Sequence, residues 1–183
     1  MGGEPSNTDN QCAAFDACGG NLVGRWKVTK LCPSDATLKN VEKSAKPCAD
    51  STGVVTLSAS GFYEFDPLGK INIDTDFAAH FVESVPSSCL QAGEDCAVLQ
   101  DRLSALAHVA AATCQATATG CDCVYDISGS TKETHSYVSN GSQYTETDPS
   151  DGKQTKSDYC VEGASLRTSE AAGISEFSNV SDM

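Results

Sequence analysis

Ten cysteines in a chain of 183 residues limit the possible folds more than any other feature. Cys12, Cys18, Cys32, Cys48, Cys89, Cys96, Cys114, Cys121, Cys123 and Cys160 are even in number and spread over most of the length, which predicts five disulfides formed outside the cytoplasm. Zinc is the competing use of so much sulfur, but no C-x-x-C occurs, and the one close pair is Cys121-Asp122-Cys123. His80, His108 and His135 stand at no ligand spacing from any cysteine pair, so neither a metal nor a cofactor is expected. Which cysteine pairs with which stays open. At least one bridge is expected between the 89–114 segment and Cys121 or Cys123.

Twelve Lys and Arg against 25 Asp and Glu give a formal charge of -13, which repels nucleic acid phosphates and anionic lipid surfaces. No apolar run reaches eighteen residues, the length a membrane helix needs. The start, Met1-Gly2-Gly3-Glu4-Pro5, lacks the basic and apolar regions of a signal peptide, so any export signal is expected to have been removed. Residues 1–11 read as a flexible tether, of the kind that follows a lipid-bearing cysteine in exported bacterial proteins. A lost lipid anchor is the one membrane link considered, beside plain secretion.

Apolar alternation predicts a mainly β chain. In Leu22 to Leu31, Trp26 and Val28 share one face while Arg25, Lys27 and Thr29 take the other. Residues 33–52 lack a period and read as a loop pinned by Cys32 and Cys48. A hairpin is expected from Gly53–Ala59 and Phe62–Asp66 around Ser60-Gly61, then a turn at Pro67–Gly69. The strand Lys70–Glu83 follows, with Ile71, Ile73, Thr75, Phe77, Ala79 and Phe81 on one face. From Cys89 to Thr117 the residues Cys96, Leu99, Leu103, Leu106, Ala110 and Cys114 follow helical spacing, which predicts a helix capped by Ser87 or Ser88. Turn signals at Ser128–Ser130, Asn140-Gly141 and Asp148–Gly152 mark out the remaining strands, the last of them, Gln154 to Thr168, broken by Gly163. The expected domain is an eight-stranded antiparallel barrel over 12–168, with a helical insertion at about 87–118 between the fourth and fifth strands and a disordered tail at 169–183. Cys12–Cys18 reads as one helical turn.

Gly24-Arg25-Trp26 on the first strand resembles the Gly-x-Trp signature of lipocalins, and Arg167 on the last resembles the arginine that covers that tryptophan. The helix position and the missing Thr-Asp-Tyr motif place the likeness with the broader calycin group, especially bacterial lipocalin-like lipoproteins. The resemblance implies a closed barrel in which Gly24, Trp26 and Arg167 serve stability and not ligand contact.

No catalytic constellation is present. There is no Gly-x-Ser-x-Gly elbow, and His80 and His108 fall on polar faces. Asn72, Asp74 and Asp76 alternate like the opening of a calcium loop but lack its later Gly and Glu. The expected site is therefore the barrel interior, where Tyr63, Phe65, Phe77, Phe81, Tyr125 and Tyr137 would line a pocket for a small hydrophobic or amphipathic ligand. The alternative is a filled barrel that binds a protein or polysaccharide through its surface.

Overall fold

A computed structural model describes residues 12–45 and 48–180; the predicted tether at 1–11 lies outside them. Nine strands and two α-helices follow one another along the chain. They are β1 (Gly24–Pro33), α1 (Asp35–Ala45), β2 (Thr52–Phe65), β3 (Lys70–Pro86), α2 (Cys96–Ser104), β4 (Val109–Ala116), β5 (Gly120–Asn140), β6 (Gln143–Thr147), β7 (Gln154–Glu162), β8 (Ser165–Glu170) and β9 (Gly173–Asn179). The sheet order is β3-β2-β1-β9-β8-β7-β6-β5-β4, and β3 pairs also with β5. Eight antiparallel strands thus close as a ring, with β4 outside it on β5. The expectation of a mainly β, disulfide-rich fold holds.

The chain forms two compact units, and β2, β3 and β5 contribute to both. The ring unit comprises residues 12–34, 58–77 and 130–180. Its core consists of side chains that alternate inward along each strand, among them Trp26 and Val28 of β1, Phe65 of β2, Ile71 and Ile73 of β3, Tyr144 of β6 and Tyr159 of β7. Leu166 and Phe177 complete it from β8 and β9. The Trp26 indole donates to the Leu22 carbonyl at 2.8 Å, so the buried ring has its polar atom satisfied.

β9 corrects the predicted disordered tail. It pairs with β1 through Val28↔Phe177 and with β8 through Leu166↔Phe177. With only Ile174 and Phe177 as apolar residues, its local pattern is weak, and partners on both sides impose the strand. Cys12–Cys18 is irregular and not a helical turn. Bridges Cys12–Cys32 and Cys18–Cys160 tie it down, and Cys18 N and Gly19 N both donate to the Tyr159 carbonyl. At Gly19 (φ +75°) a Cβ would lie 2.7 Å from the Gly141 carbonyl oxygen, so glycine is required.

The helix-bearing unit comprises residues Asp35–Leu57 and Ala78–Gly129. Its core joins Val55, Ala79, Phe81 and Val85 of the strands to Leu99 and Leu103 of α2 and to Cys121, Cys123 and Tyr125 of β5. Three bridges lie in it: Cys48–Cys89, Cys96–Cys121 and Cys114–Cys123. The last two fulfil the expectation that the 89–114 segment is riveted to Cys121 or Cys123.

Five local readings are corrected here. The loop at 33–52 contains α1, whose Leu38 and Val41, three residues apart, pack on the core. The long helix at 87–118 shrinks to a short 3-10 turn at Ser87–Cys89 and the nine residues of α2. Asp95, not Ser87 or Ser88, caps α2 by accepting from Ala97 N and Val98 N at 3.0 Å. Residues 109–116 form β4, because pairing with β5 outweighs the helical preference of its alanines. Finally, neither Ser60-Gly61 nor Ser128–Ser130 is a turn, since β2 and β5 run straight through them. At Gly61 (φ +113°) a Cβ would lie 2.2 Å from the Asp74 carbonyl oxygen, so this glycine marks a close approach of two strands.

β4 is the end strand of the sheet order, and it carries no charged residue. One of its backbone donors is occupied, because Cys114 N donates to the Gln100 side-chain carbonyl at 3.0 Å.

Candidate functional site

The six residues expected to line one pocket fall into separate groups. Tyr63, Phe65 and Tyr137 belong to the ring unit, and Phe81 and Tyr125 to the helix-bearing unit. Within the ring unit Phe65 meets Tyr137 at 5.1 Å and Tyr144 at 5.6 Å, both edge-on, and Tyr63 meets Phe177 at 5.2 Å. Such T-shaped packing is the favoured arrangement of rings that fill a core. Phe81 and Tyr125 stack on each other at 4.8 Å. Phe77 breaks the predicted alternation of β3, with 47% of its surface exposed.

The structural trio implied by the lipocalin likeness lies within the ring unit. Trp26 is buried and Gly24 precedes it with φ +146°. Arg167 has its partners in the segment before β1 and in β9. Its guanidinium donates to the carbonyls of Ala13 and Ala14, lies over the Phe15 ring and pairs with Glu176 at 3.3 Å.

A polar cluster that the sequence reading passed over lies on the faces of β5 and β6 that also carry Tyr137 and Tyr144. The hairpin register pairs Ser136 with Thr147 and Tyr137 with Glu146, which sets His135 beside Glu146 and Asp148. The His135 ring is 10% exposed; its Nδ1 meets Glu146 Oε1, and its Nε2 lies 3.1 Å from Glu133 Oε2 and 4.0 Å from Asp148. Burial lowers the imidazole pKa, but the bond to Glu146 and the charges of Glu146, Asp148 and Glu133 outweigh it, so the net shift is upward. Both nitrogens of the charged ring then act as donors to carboxylates. Nearby, burial followed by the charges of Glu146, Glu170 and Glu133 pushes the Tyr63 hydroxyl up to about 12. Glu170, at the end of β8, is raised by desolvation and then by Glu146. The signal for this cluster was available, since alternation puts Glu133, His135 and Tyr137 on one face and the Asn140-Gly141 turn folds Glu146 and Asp148 against them.

On the opposite face of the ring strands lies a cleft of about 280 Å³. It runs across β1, β2, β3 and β5. Arg25 lies with its guanidinium carbon 4.1 Å above the Phe62 ring, and register places it opposite Glu64. Asp74 pairs with Lys132 at 3.0 Å, and Thr134 donates to Asn72 at 2.8 Å. The acidic alternation of β3 is thus engaged with β5 side chains.

His80 pairs with Asp126 in the helix-bearing unit, both about half exposed. Among the described residues the one grouping of possible metal donors is Cys18, Cys160 and Glu162, and its two sulfurs are joined in a disulfide that leaves no thiolate to ligate. No helix of the described residues is long and apolar enough to cross a membrane. No protein-family model, no curated protein and no solved structure matches this chain.

Proposed function

We propose that this protein works outside the cytoplasm as a non-catalytic binding protein, engaging a polysaccharide or protein partner through its outer surface. The observation that carries this reading is the packing of Phe65 between Tyr137 and Tyr144, which spends Phe65 and Tyr137, two of the residues expected to line a pocket, as core. Five disulfides fit an oxidising compartment. His135, the most enclosed histidine, faces carboxylates at both nitrogens, an arrangement that favours a charged structural ring over a general base. On this reading the ring unit is a lipocalin-like frame, with Gly24 and Trp26 in structural roles and no carried ligand, in a protein either secreted or held at the envelope by a lipid.

Trp26 is the sole tryptophan and sits in the ring core, so its emission reports on that interior. The expected result is that a fatty acid or an anilinonaphthalene sulfonate leaves this emission unchanged. A polysaccharide or protein that retards the chain in electrophoresis should also leave it unchanged. A saturable shift of Trp26 emission by a fatty acid would show a hollow ring and overturn the reading.

A further inference from the structure

We propose that the cleft across β1, β2, β3 and β5 of the ring unit holds a neutral sugar residue of a polysaccharide. This rests on the surface-binding reading and gives that surface a place and a ligand class.

At about 280 Å³ the cleft stands at the small end of ligand sites, suited to one sugar ring and not to a peptide segment or a lipid chain. Its walls hold three kinds of polar group. Arg25 and Lys132 only donate; Glu64 and Asp74 only accept; Asn72 and Thr134 do both. A ring carrying several hydroxyls, each able to give and take a hydrogen bond, is the ligand that uses all three kinds.

Charge narrows the choice further. Glu64 and Asp74 balance Arg25 and Lys132 within the cleft, and the chain as a whole carries -13, so an anionic ligand gains no net local attraction and is repelled at long range. A cationic ligand would meet Arg25. Among the described residues that guanidinium has no carboxylate within ion-pair distance, and its one side-chain partner is the face of Phe62. It is held flat with its N–H donors unclaimed, a preorganised fork that a pair of sugar oxygens can accept from without ordering a long side chain anew. Apolar ligands find little, since Phe62 lies under Arg25 and Ile73 belongs to the buried core. The Asp74–Lys132 pair is largely exposed, 64% and 83%, and a solvated pair of this kind exchanges its bond for a hydroxyl at small cost.

The test uses the full-length, disulfide-intact chain in calorimetric titrations with gluco-, manno-, galacto- and xylo-oligosaccharides, an oligogalacturonate and a chitosan oligosaccharide. At least one neutral series should bind, with affinity insensitive to salt. Arg25→Ala and Asn72→Ala should each weaken that binding about tenfold or more, which is about 1.4 kcal/mol. Both side chains are exposed, and unchanged melting and Trp26 emission will show that the variants fold. Lys132→Ala provides a second reading at the far wall. The proposal falls if no neutral series binds, or if only the charged oligosaccharides bind and salt abolishes it. It falls equally if neutral binding survives the Arg25 and Asn72 substitutions, a result that would leave surface binding intact and place it elsewhere. A protein partner that binds while every saccharide fails would likewise remove the cleft proposal alone. A saccharide that shifts Trp26 emission would overturn the surface reading as well.

Discussion

In the ring unit Trp26, Phe65, Tyr144, Tyr159 and Phe177 share one buried core, whereas the buried aromatic residues of the helix-bearing unit are Phe81 and Tyr125, set beside the fully buried sulfurs of Cys121 and Cys123. Two of the five bridges belong to the first unit and three to the second. Large rings supply apolar burial in bulk, and their edge-on contacts add to it. A core short of such rings has less burial to set against chain entropy, and cross-links that restrict the unfolded chain make up the difference. One chain thus shows two routes to a stable β core.

The largest expected effect separates these routes directly. Each bridge contributes about 2–5 kcal/mol by the chain-entropy account, so reductant should open the helix-bearing unit first. Hydrogen exchange should show α2 and β4 amides losing protection while those of β7 and β8 keep theirs. If β7 and β8 open together with or before α2, the contrast between the units fails. Next in size is Phe65→Ala, which removes the ring between Tyr137 and Tyr144 and should cost about 3–5 kcal/mol. Denaturant titration followed by Trp26 emission measures it; a loss under 1 kcal/mol would mean that the ring core does not depend on its aromatic packing.

His135 sharpens the comparison through pH. Its pKa is raised in the folded chain, so the stability it confers is complete below the unfolded value of about 6.5 and disappears as pH climbs through the higher folded value. His135→Gln should therefore cost about 1.5–3 kcal/mol in acid, the range for hydrogen bonds to charged groups, and progressively less in alkali. Stability curves of the two proteins at several pH values check this, and parallel curves would contradict the proposed charged ring. Smallest is Asp95→Ala, which removes the cap of α2 and should cost about 1 kcal/mol. It should act on the helix-bearing unit alone, as exchange of α2 amides against those of β8 can show.

The parts of the fold that were legible in the sequence are those fixed by neighbouring residues. The turn at Asp148–Gly152 falls where a glycine with positive φ stands, and the Asn140-Gly141 hairpin is closed by Gly141 at φ +65°, whereas the stretch read as one strand broken at Gly163 is the two strands β7 and β8. Strand faces also followed from alternation, as with Trp26 and Val28 inside and Arg25 and Lys27 outside. What escaped depends on distant partners. β9 has two apolar residues and is a strand because β1 and β8 flank it. β4 carries three successive alanines, yet it is extended because Cys114 lies opposite Cys123. Gly61 and Ser128–Ser130 carry turn chemistry inside strands, and in Gly61 the missing side chain admits the neighbouring backbone instead. Of the site, Arg25, Asn72 and Asp74 were read as wet, and the joining of four strands into one concavity was beyond local pattern. The His135 cluster lay nearer to hand, needing only the hairpin register carried five residues past the turn.

The Gln100 carboxamide that receives the Cys114 amide has a bearing on life in a crowded, oxidising compartment. An uncharged extended segment at the border of a sheet is a template on which other polypeptides can assemble, and fibrils grow by that route. By occupying a donor on that border, one glutamine from a short helix interrupts the template beyond its run of alanines, so the chain can leave an alanine-rich margin without lysine or proline to guard it.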